Sequence, residues 1–268
     1  MNIATPKVTL IAHTALAREG FLPFYNAGEY MDLNIGESTM PEDVIEFAGR
    51  ACYRSFGKPN PKTRETRDYL ARTLFDQGHW SIAEHATVTL YFEGVSRAFT
   101  HELIRHRHLS YSQESQRFVD SGEANVVLPP ALRDLWENTA DQAIKEATEI
   151  AGPPPADLDL DQSIADAKEE ALDDVIGTTF EGYRTLTATL MDNGKPRKQA
   201  REAARAFLPN MTETRIVVTG NLRAWHEVIA RRTAPDADAE MQEVMGMAQA
   251  ELAKVAPSIF GKEDESDG

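Results

Sequence analysis

The sequence predicts a globular protein in which strands and helices are mixed along one chain. Apolar residues alternate with polar ones over residues 7–12, 87–92 and 212–219, which is typical of strands with one buried face. Between these strands, apolar residues recur at helical spacing. The chain has 268 residues, of which 41% are hydrophobic and 26% charged, so it is long enough to bury a sizeable core.

Composition argues against several classes of partner. The net charge of −15 works against DNA or RNA, because nucleic-acid phosphates would be repelled. Cys52 is the one cysteine, so no disulfide can form within the chain and we expect a reducing compartment. No apolar run approaches the roughly 20 residues that span a bilayer, and the first residues show no signal pattern. We therefore expect a cytoplasmic protein with no membrane partner.

Two helices are predicted between the first two strands. After a loop that extends to Met40, Pro41 begins the first helix, followed by acidic residues that the helix dipole favours. Its predicted buried stripe is Val44, Phe47, Ala48 and Ala51. Thr63 is predicted to cap a second helix that extends to about Gln77 and stops at Gly78. Its buried side is predicted to be Tyr69, Leu70 and Leu74.

The middle of the chain is predicted to alternate between short elements. The strand at residues 87–92 is expected to bury Val88, Leu90 and Phe92. Ser96 is predicted to cap a helix that presents Arg105 at its end. A loop at 110–115 and a short strand at 125–128 follow.

The segment at residues 131–191 is predicted to be mostly helical and is strongly acidic in its first part. The prolines at 153–155 interrupt it, and we interpret the segment as scaffold and as a surface for partner helices. One domain is predicted over residues 1–260. An acidic, disordered tail is predicted at residues 261–268.

The chain becomes basic between Lys195 and Arg232, with nine Lys and Arg against three Glu. A helix at 197–207, a strand at 212–219 turned by Gly220 and a helix at 221–232 are predicted there. In the last of these, Arg223 and Glu227 are four residues apart and are expected to pair. A final helix is predicted from residue 236 to about 255.

The stretch at residues 105–117 carries the strongest chemical signal. It contains three arginines, two histidines and three serines, but no lysine and one glutamate. Arginine grips phosphate, carboxylate or a heteroaromatic edge through two parallel hydrogen bonds, which lysine cannot do. A basic helix end with a surface loop is the alternative. We interpret the stretch as an anion and cofactor pocket that contacts two ligands, since consecutive side chains cannot all point one way.

The histidines and the cysteine carry weaker signals. Five of the seven histidines lie between His79 and His108, but arginines are interleaved with them and would repel a dication, so no metal is predicted. His85 is predicted to be a core or capping residue. Cys52 is predicted to be a buried, inert thiol, because it follows Ala51 beside the apolar stripe.

A second group of arginines follows in the basic segment. Each of them alone could pair with one of the abundant acids. Together with Asn221 they are interpreted as a second half of the pocket: Arg201, Arg205, Arg223, Arg231 and Arg232.

Several motifs together resemble the flavin-dependent thymidylate synthases, also called the thymidylate synthase-complementing protein family. RHRHLSYSQESQR (105–117) matches that family's signature of Arg-His-Arg, seven residues and then Ser. GHWSIAEH (78–85), THELIRHR (100–107), ARAFLPNMTETRIVVTGNLRAW (204–225) and the arginine that ends the next helix occur in the family's order. The resemblance covers nearly the whole chain and is weakest at residues 131–191.

The resemblance implies an enzyme that methylates dUMP reductively to dTMP. The one-carbon donor would be 5,10-methylenetetrahydrofolate, and NADPH would supply electrons through bound FAD. It also implies an α+β fold, with helices packed on an antiparallel sheet, and a homotetramer whose active sites are shared between chains. Such an enzyme needs no cysteine nucleophile, in agreement with a chain that has no well-placed one.

The resemblance also assigns residues to the two ligands. At the reaction centre it places Arg232, Ser115 and His79. On the dUMP side it places Glu102, Leu103, Ile104, Arg105, Gln113, Glu114, Ser115, Gln116, Arg117, Arg205 and Arg232. On the FAD side it places Ser81, Arg105, His106, Arg107, Gln113, Asn221, Leu222, Arg223 and Glu227.

Three positions depart from the family pattern. Gln113 stands where some members have Glu, and Glu114 stands where an apolar residue is common. Glu227 stands where His or Asn is expected against the flavin, and its carboxylate could pair with Arg223 or Arg231 instead. A flavin- and nucleotide-binding protein of the same fold with impaired catalysis is therefore an alternative. An RNA-binding regulator is a third hypothesis, which the net charge disfavours.

Overall fold

A computed structural model describes residues 2–17, 19–20, 40–57, 60–133 and 173–261, with a few residues at 145, 148–150, 152, 159 and 162–163. The prolines at 153–155, most of the predicted acidic helices and nearly all of the predicted tail lie outside the described residues. The chain forms two compact units. The first unit is Met1–Pro6, Glu93–Leu103 and Gln113–Arg215, and the second is Lys7–Phe92, Ile104–Ser112 and Ile216–Gly268. The single domain over 1–260 stays a prediction.

The described ranges contain four strands and eight α-helices. The strands are β1 (Lys7–His13), β2 (Thr87–Ser96), β3 (Ser110–Gln113) and β4 (Glu213–Asn221). The helices are α1 (Met40–Tyr53), α2 (Thr66–Leu70), α3 (Arg97–Leu103), α4 (Thr178–Asp192), α5 (Arg197–Ala204), α6 (Leu222–Arg232), α7 (Ala239–Ala253) and α8 (Pro257–Phe260).

The four strands form one antiparallel sheet in the order β1-β2-β4-β3. β1, β2 and β4 confirm three predicted strands, and Val88, Leu90 and Phe92 are fully buried as predicted. The predicted α+β fold, with helices on an antiparallel sheet, is thereby confirmed. The predicted fourth strand, at 125–128, is reduced to isolated bridges from Val126 to Ile3 and Thr212.

Two predictions about the sheet are wrong. Residues 110–113 form β3 rather than a loop, because they pair along β4 although their side chains are polar. Gly220 does not turn β4, which continues to Asn221. A Cβ at Gly220 would lie 2.2 Å from Cδ2 of Leu109, so the glycine is required for close packing.

The buried face of α1 differs from the prediction. Ile45, Glu46, Gly49 and Arg50 are buried, whereas Ala51 is exposed and Val44, Phe47 and Ala48 are half-buried. The polar residues can be buried because they satisfy one another. Arg50 Nε donates to Glu46 Oε1 over 2.5 Å, and Arg50 Nη2 donates to the carbonyl of Thr63 over 2.6 Å. The spacing of the apolar residues therefore predicted the wrong buried face for α1.

The predicted burial of Cys52 is wrong, and so is the core alternative for His85. Cys52 is exposed, because it lies on α1 opposite the Glu46–Arg50 face. His85 is exposed at the end of a 3₁₀ turn, Trp80–His85, and is not a core residue.

The second predicted helix has an irregular course. Tyr69, Leu70 and Leu74 are buried as predicted. Thr63 does not cap it; α2 begins at Thr66 and widens into a π-type turn over Ala71–Asp76. Gly78 ends the segment at φ +71°, which suits glycine.

The C-terminal helices complete the second unit. Trp225 of α6 is fully buried, and its Nε1 donates to the carbonyl of Val88 in β2 over 3.1 Å. α7 begins at Ala239, three residues later than predicted, because Asp238 caps it. Helix α7 packs on β1, and α8 follows it.

The first unit contains α3, α4 and α5. Ser96 caps α3 as predicted, because its Oγ accepts from the amide of Phe99 over 2.9 Å. Helix α4 packs against α5. A small apolar cluster supports them and consists of Val126, Leu128, Ile176 and Phe180.

No helix among the described residues is long and apolar enough to cross a membrane. The cytoplasmic location stays a prediction.

Glu42 is expected to make the stability of the second unit depend on pH. Burial raises its pKa to about 7, although Ser258 donates to it through its amide, over 2.7 Å, and through Oγ, over 3.0 Å. The folded state therefore holds this proton more tightly than the unfolded chain. The free energy of unfolding should fall by about 3 kcal/mol as pH rises from about 4.5 to about 7.

Urea denaturation at several pH values, with wild type and Glu42→Gln compared, measures this contribution. Glutamine keeps an oxygen for the Ser258 amide and does not titrate. The variant should lack this fall and should be the more stable protein at pH 8. The prediction would be contradicted if the free energy of unfolding depended on pH equally in both proteins.

Candidate functional site

A pocket of about 230 Å³ lies in the second unit, where β4 passes into α6. Its lining brings together three of the residues predicted for the flavin, Asn221, Arg223 and Glu227. Glu84, His108 and Ala224 complete it. Glu84 and His108 were not predicted as site residues, although both lie in the stretches that carry the resemblance.

The start of α6 fixes the pocket wall. Asn221 caps the helix, with its Oδ1 accepting from the amide of Ala224 over 2.8 Å. Leu222, also predicted for the flavin, is fully buried, and its amide donates to the carbonyl of Ala86 over 2.9 Å. Asn221 and Arg223 reach the pocket while Leu222 anchors the turn between them.

Arg223 is held by two carboxylates. Its Nε donates to Glu227 over 3.0 Å, which confirms the predicted i, i+4 pair, and its Nη1 donates to Glu84 over 2.7 Å. The hydrogen bonds to Glu227 and Glu84 raise the pKa of Arg223. All three side chains are about half exposed, so a ligand anion can compete with these carboxylates without burying an unpaired charge.

Arg232 and His106 are in direct contact. Arg232 Nε donates to His106 Nε2 over 2.8 Å, which requires the His106 tautomer with its proton on Nδ1. Tyr111 holds the same turn by donating its hydroxyl to the His106 carbonyl over 2.7 Å. Burial raises the Tyr111 pKa to about 12, so the phenol remains a donor. Arg105 and Arg107 are exposed on either side of His106.

An aromatic cluster flanks the predicted residues His79 and Ser81, which are both exposed. Trp80 stacks on His226 with ring centroids 4.0 Å apart and planes 23° apart. Burial lowers the pKa of His226, which favours the neutral ring. Sequence reasoning missed this stack, because nothing local connects residues so distant along the chain.

The first unit holds most of the residues predicted for dUMP. Gln113 Nε2 donates to Thr100 Oγ1 over 2.8 Å and is half-buried. The Glu114 amide donates to the carbonyl of Arg215 over 2.9 Å, which continues the pairing beyond β3. The carbonyl of Ser115 accepts from the amides of Phe118 and Val119, so Gln116 and Arg117 lie in a tight turn.

Helix α5 braces that turn through two adjacent residues. Glu202 pairs with Arg117 over 2.7 Å. Arg201 donates to the carbonyl of Phe118 over 2.7 Å and bonds to Asp120, and it is only 8% exposed. Arg201 therefore braces the turn, and its place in a ligand pocket stays a prediction. Arg117 Nε is buried with no hydrogen-bond partner among the described residues, so a donor remains for a ligand.

Arg205 and Arg97 are close enough in the first unit for their positive charges to interact. Arg205 is exposed in the 3₁₀ turn after α5. Burial, and then the nearby charge of Arg205, lower the pKa of Arg97. Sequence reasoning missed Arg97, yet a signal existed, since an arginine that begins a helix opposes the helix dipole unless an anion is close.

The three remaining predicted residues surround the end of α3. Leu103 is fully buried and Glu102 is half-buried, both in the first unit. Ile104, which follows them at the start of a segment of the second unit, is 43% exposed. Among the described residues, no group of three His, Cys, Asp or Glu side chains is placed to hold a metal ion.

The chain is similar to known proteins in sequence and in fold. The sequence model of the family "Thymidylate synthase complementing protein" matches residues 35–258. A flavin-dependent thymidylate synthase of Mycobacteroides abscessus is 46% identical over 223 residues, which cover 82% of this chain and 79% of that protein. One of Mycobacterium tuberculosis is 46% identical over 220 residues, which cover 81% and 77%.

A solved structure shares the fold. Thymidylate Synthase X (ThyX) of Helicobacter pylori, determined with FAD and dUMP, superposes with a TM-score of 0.57 at 17% identity. The match covers 96% of this chain and 98% of that one.

The helices and the antiparallel sheet define an α+β protein, and one of its pockets is lined by Asn221 and Arg223. More particularly, the chain belongs to the thymidylate synthase-complementing protein family, the flavin-dependent thymidylate synthases. The family and the class of enzyme predicted from the motifs are thereby confirmed.

The residues present fit a flavin dinucleotide. Asn221, Arg223 and His108 offer amide, guanidinium and imidazole groups to one pocket, which suits the phosphates and the polar ring edge of FAD. The two carboxylates on Arg223 are exposed, and they compete with a ligand rather than block it.

Replacing Glu227 by glutamine is expected to tighten FAD binding. The substitution removes one of the two carboxylates that occupy Arg223, so a ligand anion meets less competition. Because the pair is exposed, we expect the Kd for FAD to fall by only about 2- to 5-fold at low salt. Quenching of flavin fluorescence during titration of the apoprotein measures it.

The dependence on salt and a control variant show whether the tighter FAD binding comes from Glu227 itself or from the change in the net charge of the protein. The difference between Glu227→Gln and wild type should shrink at high ionic strength. Glu181→Gln removes the same charge from an exposed pair with Arg184 in the first unit and should leave the Kd unchanged. Equal tightening by both variants would contradict a local role for Glu227.

Proposed function

We propose that the protein methylates dUMP to dTMP, with 5,10-methylenetetrahydrofolate as one-carbon donor and NADPH as reductant through bound FAD. The observation that carries the proposal is the family match over residues 35–258, which contains every residue assigned to the site. Half-buried and buried guanidinium groups in a chain of net charge −15 support it, because they are suited to anionic ligands.

Bound FAD would supply the reducing equivalents for this methylation. The chain's own part is to bind and orient. Asn221 and Arg223 line the pocket to which we assign the flavin. Arg232 would stabilise negative charge at N3 and O4 of the uracil ring as the ring is activated. Its bond to His106 restricts the orientation of its guanidinium before substrate arrives.

The first unit would hold the nucleotide through its arginines. Arg117 offers a buried donor that has no partner among the described residues, and Ser115 fixes the turn that presents it. We assign Ser115 to binding rather than to attack. Arg97 and Arg205 bring two positive charges together, and a phosphate would relieve their repulsion.

We also propose the homotetramer with shared active sites that the family resemblance implies. No covalent role is assigned to Cys52, since the reaction we propose is driven by reduction.

The proposal is tested first by an absorbance spectrum of the purified protein and then by an assay. A flavin spectrum, and tritium release from 5-tritiated dUMP that depends on both folate and NADPH, are the expected results. A colourless protein that cannot be loaded with FAD would overturn the proposal.

A second candidate is a flavin- and nucleotide-binding protein with impaired catalysis. The observation that favours it is the double pairing of Arg223 with Glu84 and Glu227, where the family would place a ligand contact. A yellow protein that binds dUMP but releases no tritium would support this candidate instead.

A further inference from the structure

A cluster of three rings in the second unit joins α6 to the segment that carries His79 and Ser81. Trp80 and His226 stack with their ring centroids 4.0 Å apart and their planes 23° apart. Phe75 meets both rings edge-on, with its centroid 5.2 Å from that of Trp80 and 5.8 Å from that of His226. Stacked and edge-on arrangements are the favoured geometries of aromatic pairs, so this is a specific contact between segments distant along the chain.

The backbone at His79 depends on where Trp80 is held. The amide of Trp80 donates to the carbonyl of Gly78 over 2.9 Å, and His79 between them has a φ of −81° and a ψ of 55°. These values are those of an inverse γ-turn, in which one hydrogen bond closes a turn of three residues. The amide of His79 also donates to the carbonyl of Thr73 over 2.9 Å. Because the turn is so short, a displacement of Trp80 would reorient the imidazole of His79.

Two hydrogen bonds join the 3₁₀ turn Trp80–His85 and its end to α6 beside the ring stack. The amide of Leu222 donates to the carbonyl of Ala86 over 2.9 Å, and Nη1 of Arg223 donates to Glu84 over 2.7 Å. Contacts that advance along α6 therefore go back along the turn, so the two segments lie side by side in opposite chain directions. The ring stack is the contact at the His79 end of this arrangement.

The ring stack is also the contact that a bound ligand would leave in place. Arg223 lines the pocket assigned to the flavin and is about half exposed, so a ligand anion can compete with its bond to Glu84. The backbone bond to Ala86 lies at the far end of the turn from His79. Of the three contacts, the stack is therefore the one that can hold His79 and Ser81 on α6 while the pocket is occupied.

His226 is placed to act through Trp80 rather than on the flavin itself. Its neighbour Glu227 lines the pocket, whereas His226 is not among the described residues that do. The side chain is half-buried, and burial lowers its pKa, which favours the neutral ring. A neutral imidazole can stack on an indole without the cost of desolvating a charge. The contact thus uses the flat ring and not a positive charge.

We propose that His226 is a positioning residue, which stacks on Trp80 and thereby fixes His79 and Ser81 relative to the flavin pocket at the start of α6. The proposal rests on the proposed function, because that function assigns His79 to the reaction centre and Ser81 to FAD. Loss of the stack should therefore weaken FAD binding and slow the reaction. It should not change dUMP binding, since most of the residues assigned to dUMP lie in the first unit.

Titration of the apoprotein with FAD, followed by quenching of flavin fluorescence, tests the proposal without any turnover. His226→Leu, which keeps apolar volume but has no flat ring, should raise the Kd by about 3- to 10-fold. His226→Gln, also without a ring, should raise it equally, so the test does not depend on one variant. His226→Phe restores a flat ring and should bind FAD as wild type does. His13→Ala, which removes an exposed histidine of the same unit, is the control and should leave the Kd unchanged.

Two outcomes of this titration would overturn the proposal. Affinity of His226→Leu equal to that of wild type would show that the stack does not position the flavin site. Binding by His226→Phe as weak as that by His226→Leu would show that the imidazole nitrogens, rather than the flat ring, are needed.

A double-mutant cycle with Trp80 tests the route of the effect. Trp80→Leu alone should weaken FAD binding, and His226→Leu should weaken it no further in that background, because the contact is already lost. A merely structural contribution of His226 would add to that of Trp80. Additive effects, or an unchanged Kd in Trp80→Leu, would refute a role for His226 that acts through Trp80.

Turnover separates this inference from the proposed function. In the tritium-release assay at saturating FAD, His226→Leu should lower kcat by about 10- to 100-fold, because a misplaced reaction centre is costly, and should leave the KM for dUMP unchanged. An unchanged kcat in an active enzyme would refute the positioning of His79 and leave the proposed reaction standing. A wild type that binds FAD more tightly than His226→Leu but releases no tritium would refute the proposed reaction and leave the role of the stack in flavin binding standing.

Discussion

Replacing Arg232 by alanine is expected to lower kcat for dTMP formation by at least about 100-fold, the effect of removing a donor to developing negative charge. The structure adds a reason why the position is sensitive. Arg232 Nε bonds to His106 Nε2, so one guanidinium edge is already fixed and the rest is oriented before any ligand arrives. Tritium release from 5-tritiated dUMP, at saturating folate and NADPH, measures the loss.

Arg67→Ala is the control for this prediction. Arg67 is an exposed residue of α2 in the same unit, carries the same charge, and belongs to neither group of arginines interpreted as the pocket. It should retain turnover near that of wild type. Both variants should keep the FAD content and the oligomeric state of the parent. Turnover of Arg232→Ala close to that of wild type would remove Arg232 from the reaction centre.

Local features were predictable from the sequence because neighbouring residues determine them. The cap at Ser96, the pair of Arg223 with Glu227 and the stop at Gly78 each depend on positions a few residues apart. The strand at residues 87–92 was predictable because its alternation matches a sheet with one buried face.

Features that depend on distant partners were not predictable. β3 is polar and is a strand because β4 lies beside it. Gly220 reads as a turn residue in isolation and is instead the place where Leu109 packs against a strand. The exposure of Cys52 was not predictable for the same reason. Helix α1 buries Glu46 and Arg50, which leaves Cys52 on its exposed face. Apolar periodicity identifies the wrong face when buried charges pair with each other.

In the candidate site, too, local features were predictable from the sequence and contacts with distant residues were not. Motifs identified the residue types and their order, and three of the residues predicted for the flavin line one pocket. The partners of these residues come from elsewhere in the chain. Glu84 bonds to Arg223, Glu202 pairs with Arg117, and His106 accepts from Arg232. Motif matching supplied His106 and the stretch that contains Glu84, but it did not supply these pairings, which join residues distant along the chain.

The Glu46–Arg50 pair is where removing one side chain should destabilise the second unit most. Both side chains are almost fully buried, and the guanidinium also bonds to Thr63 and lies over Tyr69. Arg50→Met keeps much of the volume but removes the guanidinium that pairs with the buried Glu46 carboxylate, which also accepts from the Thr66 hydroxyl over 2.6 Å. We expect the free energy of unfolding to fall by about 3–5 kcal/mol.

The double variant Arg50→Met/Glu46→Leu tests the cause. If the loss comes from the broken charge pair, removing the second charge should restore most of the stability, because well-packed apolar residues can replace a buried ion pair at little cost. Urea unfolding at fixed protein concentration, monitored by tryptophan fluorescence, measures all variants. Arg67→Met, at an exposed position on α2, should change stability by less than about 0.5 kcal/mol. A double variant as unstable as Arg50→Met would show instead that the contacts of Arg50 with Thr63 and Tyr69, rather than its charge pair, hold α1 to α2.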